Sequence, residues 1–177
     1  MDVFVAFLRA VNVAGRRVAN TQLSTAFSNA GMQNVSPFLA SGNVRFEVAA
    51  ADPIRLATML QEALEATLGF TVATFVRTQR EVDEIAACVP FDEASILAAT
   101  AFSIGLLQEP LTEQQQLQLA GFASEVDRFA VVGREIYWLC QVKQSESRFS
   151  NVRLEKALGI QATFRNRNTL QRLATRK

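Results

Sequence analysis

The chain has 177 residues, 49% hydrophobic and 20% charged, with a formal net charge of +1. This composition excludes a low-complexity or disordered polypeptide and supplies the apolar residues of one large domain or two small ones sharing a core. No histidine is present, which excludes Ser-His-Asp and Cys-His catalysis, imidazole metal sites and the usual proton carrier near neutral pH.

The first elements read cleanly. Residues 3–8 (VFVAFL) form a short continuous apolar run, the pattern of a buried strand. Asn20 can cap a helix through TQLSTAFSNA, with Leu23, Ala26, Phe27 and Ala30 on one face and Gly31 closing it. VSPFLA and NVRFEV are β-rich runs joined at residues 41–43 (SGN), a hairpin signal because Gly and Asn tolerate positive φ. Asp52 precedes Pro53 at the first position of a helix carrying Leu56, Leu60, Ala63, Leu64 and Leu68 and ending at Gly69. Residues 71–76 (TVATFV) are the next strand. The order strand, helix, hairpin, helix, strand is a βαββαβ, ferredoxin-like unit.

The second half repeats that order. Thr78 with Glu81 makes a capping box for a linking helix that runs to about Ala87. Residues 100–107 (TAFSIGLL) are a strand. Thr112 with Gln115 opens a helix ending at Gly121. RFAVV, Gly133 and EIYWLC form a hairpin, Ser150 caps NVRLEKALG, and ATF can close the sheet. Gly31, Gly69, Gly121 and Gly159 each precede an apolar residue, the signature of a left-handed helix C-cap. The expected fold is α+β, two ferredoxin-like units packed together as an internal pseudo-repeat. The expected boundaries are residues 1–78, a linking helix over 79–98, and a second unit over 99–177 with a terminal basic helix.

Several blocks, in order, resemble the domain of unknown function 1697. FLRAVNVAGRR is similar to the family's LLRGINVGGKN opening and ASGNVRF to its QSGNVVF. FAVVGREIYWLC, SRFSNVRLEKALG and ATFRNRNTLQRL resemble its later blocks. The resemblance implies paired ferredoxin-like units and brings no reaction, cofactor or catalytic residue. Ala10 and Ala14 stand where the family has glycine, Arg16 and Arg148 where it has lysine, and Arg167 where it has tryptophan.

Charge is unevenly distributed. Residues 1–142 carry nine basic and fifteen acidic residues, a net of −6, whereas residues 143–177 carry nine basic and two acidic, a net of +7. The basic end is either an electrostatic footprint for an anion or a solvated tail. Three polar stretches bear on that choice. RAVNVAGRR (9–17) supplies Arg9, Asn12 and Arg16 on a loop after the first strand, though it lacks the P-loop spacing. KQSESRFSN (143–151) supplies Arg148 and Asn151 at a helix start, a place suited to phosphate and equally to plain capping by Ser150. TFRNRNTLQRL (163–173) supplies Arg165, Asn166 and Asn168. Asn166, Asn168 or Thr169 can cap the last helix, while Arg165 can meet an anion or an internal acid such as Glu155. Arg9, Asn12, Arg165 and Asn166 are expected to converge.

The preferred reading is a non-catalytic binding module for an anionic ligand, a nucleotide-like molecule or RNA. One alternative is an enzyme acting on a phosphorylated or carboxylated metabolite, with Lys143, Lys156 or Tyr137 as acid–base groups. Another is an interaction or assembly domain, for which a homodimer is possible. The reading leans away from catalysis. Cys88 and Cys140, each in an apolar run, are expected to be buried thiols without metal. No cofactor is expected. An N-terminus without a basic leader and the lack of a long apolar run point to the cytoplasm and to no membrane partner.

Overall fold

The computed structural model describes every residue except Ala14, Arg16, Ala40, Ser41 and Lys177. The chain divides into two compact units, Met1–Val82 and Asp83–Lys177. Each holds one four-stranded antiparallel sheet.

In the first unit the elements are β1 (Asp2–Leu8), α1 (Asn20–Asn29), β2 (Gln33–Phe38), β3 (Asn43–Val48), α2 (Pro53–Leu68) and β4 (Thr74–Thr78). The spatial order β2-β3-β1-β4 is that of a ferredoxin-like βαββαβ sheet. Strand period two places Phe4, Ala6 and Leu8 against Leu23, Ala26 and Phe27 of α1 and Leu56, Leu60 and Leu64 of α2. The other face, with Val5, Phe7, Phe75 and Arg77, is also fully buried. Both faces of β1 being dry is why its sequence reads as a continuous apolar run. The outermost strand β2 contains Pro37, carries Asn34 at a positive φ of 49°, and shifts register against β3 between Gln33 and Ser36.

Helix α3 (Gln79–Ala87) crosses the boundary, and α4 (Glu93–Ala98) lies within the second unit. The second unit continues through β5 (Ala101–Leu107), α5 (Glu113–Ala120), β6 (Asp127–Val132), β7 (Glu135–Cys140), a 3-10 turn at Gln144–Glu146, α6 (Asn151–Leu158), β8 (Ala162–Asn166) and α7 (Arg167–Ala174). Its sheet order, β6-β7-β5-β8, repeats the first. Trp138, Phe149, Phe129 and Phe164 form an aromatic cluster beneath α5 and α6; the Trp138 and Phe149 centroids are 4.6 Å apart. Phe164 lies across Gly105, where a β-carbon would stand 2.6 Å from the ring.

Four details differ from the sequence expectation, and one expectation falls partly outside the described residues. The N-cap of α1 is Ala19, not Asn20; the Gln22 side chain returns to accept from the Ala19 N–H at 3.0 Å, so a backbone-directed amide replaces the expected cap. Gly31, Gly69 and Gly159 have positive φ, but Gly121 has φ −67° and continues right-handed into a further turn. Residues 79–98 hold two helices; Pro90 lies in the break, and Asp92 caps the second by accepting from the Ser95 N–H at 2.8 Å. Ala40 and Ser41 of the expected hairpin turn lie outside the described residues. Cys140 is buried, but Cys88 is only half-buried, because α3 ends at Ala87 and leaves it beyond the last helical turn.

Candidate functional site

The C-terminal stretch builds a junction between β8 and α7. Asn166 ends the strand in an extended conformation and caps the helix, its side-chain oxygen accepting from the Asn168 N–H at 2.9 Å. Capping fixes Arg167 at the first helical position. Its guanidinium carbon lies 5.3 Å from the Phe102 ring centroid, within cation–π range. Phe102 is itself edge-on to Phe91 and Tyr137. The Arg167 Nε is buried and has no hydrogen-bond acceptor among the described residues.

Asn166, Arg167 and Asn168 line one wall of a pocket of about 230 Å³, opposite Ile96, Ala99, Thr100, Ala101 and Phe102. No acidic residue lines it among the described residues. The positive end of the α7 dipole and a guanidinium edge are therefore not neutralised from within the pocket. Such an arrangement can hold an anion; the Thr100 hydroxyl on the opposite wall donates to the Gln141 carbonyl at 2.8 Å.

Arg165, two residues earlier, is 8% exposed. It lies on the sheet face away from α5 and α6, donating from Nη1 to the Thr163 hydroxyl at 2.8 Å and to the Phe164 carbonyl at 3.0 Å. Burial lowers its pKa to about 10, so it remains a cation at neutral pH. Glu155, the acid considered for it, accepts from the Ala162 N–H at 2.9 Å.

The other sequence candidates are elsewhere. Arg148 is exposed, and its carbonyl accepts from the Arg153 guanidinium. Asn151 starts α6 and donates to the Ala162 carbonyl at 2.9 Å. Around them the polar run serves the fold. Buried Asp127 accepts from the Trp138 indole at 2.8 Å and from the Ser147 and Ser124 hydroxyls at 2.7 and 3.1 Å. The Ser150 hydroxyl caps α6 by accepting from the Arg153 N–H at 3.3 Å. Gln144 reaches Ser103 at 2.8 Å.

In the first unit, Arg9 is half-buried at the end of β1, its N–H donating to the Ala73 carbonyl at 2.9 Å. Asn12 closes its own loop by accepting from the Val18 N–H at 2.8 Å. Arg16 lies outside the described residues. Thus Asn166 and Asn168 share one pocket, while Arg148 and Asn151 stand at the start of a different helix. Arg167 and Thr100 were absent from the sequence candidates; recognising Asn166 as the cap would have placed Arg167 at the helix entrance.

Among the acid–base candidates, Tyr137 is buried, and burial together with a hydrogen bond to Cys88 pushes its phenol far above the usual range. Lys143 and Lys156 are exposed and outside the pocket. No cluster of three metal-ligating side chains occurs among the described residues. No helix there is long and apolar enough to cross a membrane.

A conserved bacterial protein, SP0830 from Streptococcus pneumoniae, has a similar fold: TM-score 0.78 at 16% identity, covering 98% of this chain and 97% of that one. No curated protein matches the sequence. The model of a family described as protein of unknown function (DUF1697) matches residues 1–137. That match spans FLRAVNVAGRR and ASGNVRF and ends within EIYWLC: the chain belongs to the DUF1697 family.

Proposed function

We propose that this protein is a non-catalytic binding module for an anionic small molecule, taken up at the start of α7. The observation that carries this reading is the start of α7 with the half-buried Arg167, on the wall of a pocket lined by no acid among the described residues. RNA has less support. Single-strand recognition on such sheets uses exposed aromatic side chains, whereas Tyr137 and Trp138 are 1% and 6% exposed.

The test compares melting temperatures when chloride is replaced by sulfate, phosphate or acetate at fixed ionic strength. At least one anion should raise the melting temperature of the parent and leave Arg167→Gln unmoved; at 100 times Kd the gain is about 2.7 kcal/mol. If no anion has a specific effect on the parent, the reading is wrong.

A further inference from the structure

Among the described residues, four strands lie at sheet edges: β2 and β4 in the first unit, β6 and β8 in the second. Every second residue of an edge strand turns its N–H and carbonyl away from the sheet. On three of these strands the chain itself engages or removes such groups. In β2 an outward position is Pro37, which has no N–H. In β4 the Arg77 guanidinium donates to the Val76 carbonyl at 3.0 Å, and Glu81 accepts from the Thr78 N–H at 2.8 Å. In β8 Asn151 and Glu155 take the carbonyl and the N–H of Ala162, both at 2.9 Å, and Arg165 donates to the Phe164 carbonyl at 3.0 Å.

Strand β6 differs. The Gln141 N–H donates to the Val126 carbonyl at 2.9 Å, so even-numbered residues of 126–132 bond to β7 and odd-numbered ones face outward. Asp127 is closed: its N–H donates to the Ser124 hydroxyl and its carbonyl accepts from the Ser124 N–H, both at 3.0 Å. The outward N–H and carbonyl groups of Phe129 and Val131 have no partner among the described residues. Beyond them the chain turns away at Gly133 and Arg134.

We propose that this opening seats the same strand of a second copy of the chain, β6 against β6, antiparallel about a two-fold axis at Ala130. The opening is self-complementary. Phe129 faces Val131 of the second copy and Val131 faces its Phe129, as hydrogen-bonded pairs that each exchange two bonds. Where Ser124 closes the edge at Asp127, the second copy has reached Gly133 and is turning away. A longer strand from another protein meets that cap. Phe129 beside Val131 is an aromatic–β-branched pair, and the small Ala130 meets itself at the close-spaced axis. Charge agrees with this register. Arg128, held by the Ser95 hydroxyl at 2.6 Å and by Asp92 at 3.8 Å, stands opposite Val132. Arg134 of one copy comes level with the exposed Glu125 of the other. Helix α5 packs beside β6. Its Leu117 is 76% exposed, on the flank away from Gln115, whose amide reaches the Leu158 carbonyl on α6. Leu117 thus extends the apolar strip of Phe129 and Val131. So short a strand pair buries less than the roughly 1,200 Å² of stable complexes, so the dimer forms as concentration rises.

Sedimentation equilibrium of the full chain over a hundred-fold range of concentration tests this. The mean mass should climb toward that of two chains. Val131→Pro removes an outward N–H and leaves the bonds to β7 in place; it should remain monomeric. Val132→Lys puts a like charge opposite Arg128 of the second copy and should weaken the dimer several-fold, whereas Val132→Glu should tighten it. A parent that stays monomeric at every concentration overturns the inference, as does one that stays monomeric while taking up a separate extended peptide along β6. A dimer that survives Val131→Pro in the folded variant lies on another surface and overturns it too. Should that variant fail to fold, equal dimer affinity of Val132→Lys and Val132→Glu is the overturning result.

Discussion

Arg77 and Arg165 occupy the same place in the two units and make the same bond. Each is the penultimate residue of the last strand, and each sends Nη1 to the carbonyl of the residue before it, Val76 and Phe164 respectively, at 3.0 Å. Arg77 stands opposite Val5 and Arg165 opposite Ile104, both on the sheet face turned away from the covering helices. Buried arginines recurring at one position of a repeat belong to the architecture. Arg165→Ala should therefore lower stability by about 2–4 kcal/mol in urea unfolding, through lost hydrogen bonds and lost packing of the alkyl stem. Arg165→Lys should recover less than half, because an ammonium cannot reproduce the planar fork. An alanine variant as stable as the parent would mean that the guanidinium is held for a ligand.

Ala10 has φ 57°, in the left-handed region, at a position where the family pattern has glycine. An L-residue there carries a strain of about 1–2 kcal/mol. Ala10→Gly removes the β-carbon at the cost of a more flexible unfolded chain. The net expectation is a gain of about 0.5–1 kcal/mol, read as a higher urea midpoint at unchanged m-value. A loss of stability would show that the Ala10 methyl contributes packing that outweighs its backbone conformation.

Gly105 is fixed by the ring above it rather than by its backbone angles. Gly105→Ala puts a methyl 2.6 Å from Phe164 Cζ, with the other ring carbons at 2.8 and 2.9 Å. The ring must move out of a cluster shared with Trp138 and Phe149. Overpacking of this kind costs about 1–3 kcal/mol. Adding Phe164→Leu to Gly105→Ala should recover part of the loss, a positive coupling measurable in a double-mutant cycle. Strict additivity of the two changes would refute the contact as the cause.

Tyr137 is the only tyrosine, so alkaline phenolate absorbance reports on it alone. Its pKa is raised in the folded state, first by burial and then by the Cys88 hydrogen bond. The proton is thus held more tightly in the folded than in the unfolded chain. This contribution to stability is fully present below the ordinary phenol pKa of about 10 and is lost as pH rises above it toward the folded value. Native protein should show no phenolate signal near pH 10, and the signal should appear together with loss of the circular dichroism of the fold. Tyr137→Phe should flatten the fall of stability above that pH. Phenolate formation while the fold persists would contradict the burial.

The pseudo-repeat was legible because its strands and caps are local: Asp52, Thr78, Thr112 and Ser150 cap their helices where the pattern puts them. The α1 entrance was misread because Gln22, three residues on, outcompetes Asn20 through the backbone. Arg77 passed as an ordinary strand residue, since nothing in TFVRT says that both faces of the sheet are dry. KQSESRFSN resembled a ligand loop because hydroxyl-rich sequence looks alike whether it serves a guest or the chain. Its partner, Asp127, lies twenty residues before Ser147, and only the fold joins them. At the C-terminal pocket the cap was readable, but the apolar wall was not. Ile96 and Phe102 come from a helix and a strand that no local pattern connects to Arg167.

The two outer strands β2 and β6 differ in how they meet other chains. On β2, Pro37 withholds an amide and the shift between Gln33 and Ser36 breaks the ladder. A strand approaching from solution cannot add in register there. Strand β6 pairs with β7 through six consecutive residues without proline or bulge, and its sequence turns apolar at Phe129. At Asp127 the N–H and carbonyl are both taken by Ser124, and beyond it the strand runs through Phe129 and Val131 with no proline or bulge to turn a visiting strand away. The weak flank against intermolecular β-aggregation is therefore β6, where the charge of Arg128 and the mixed exposure of the strand supply the remaining deterrent.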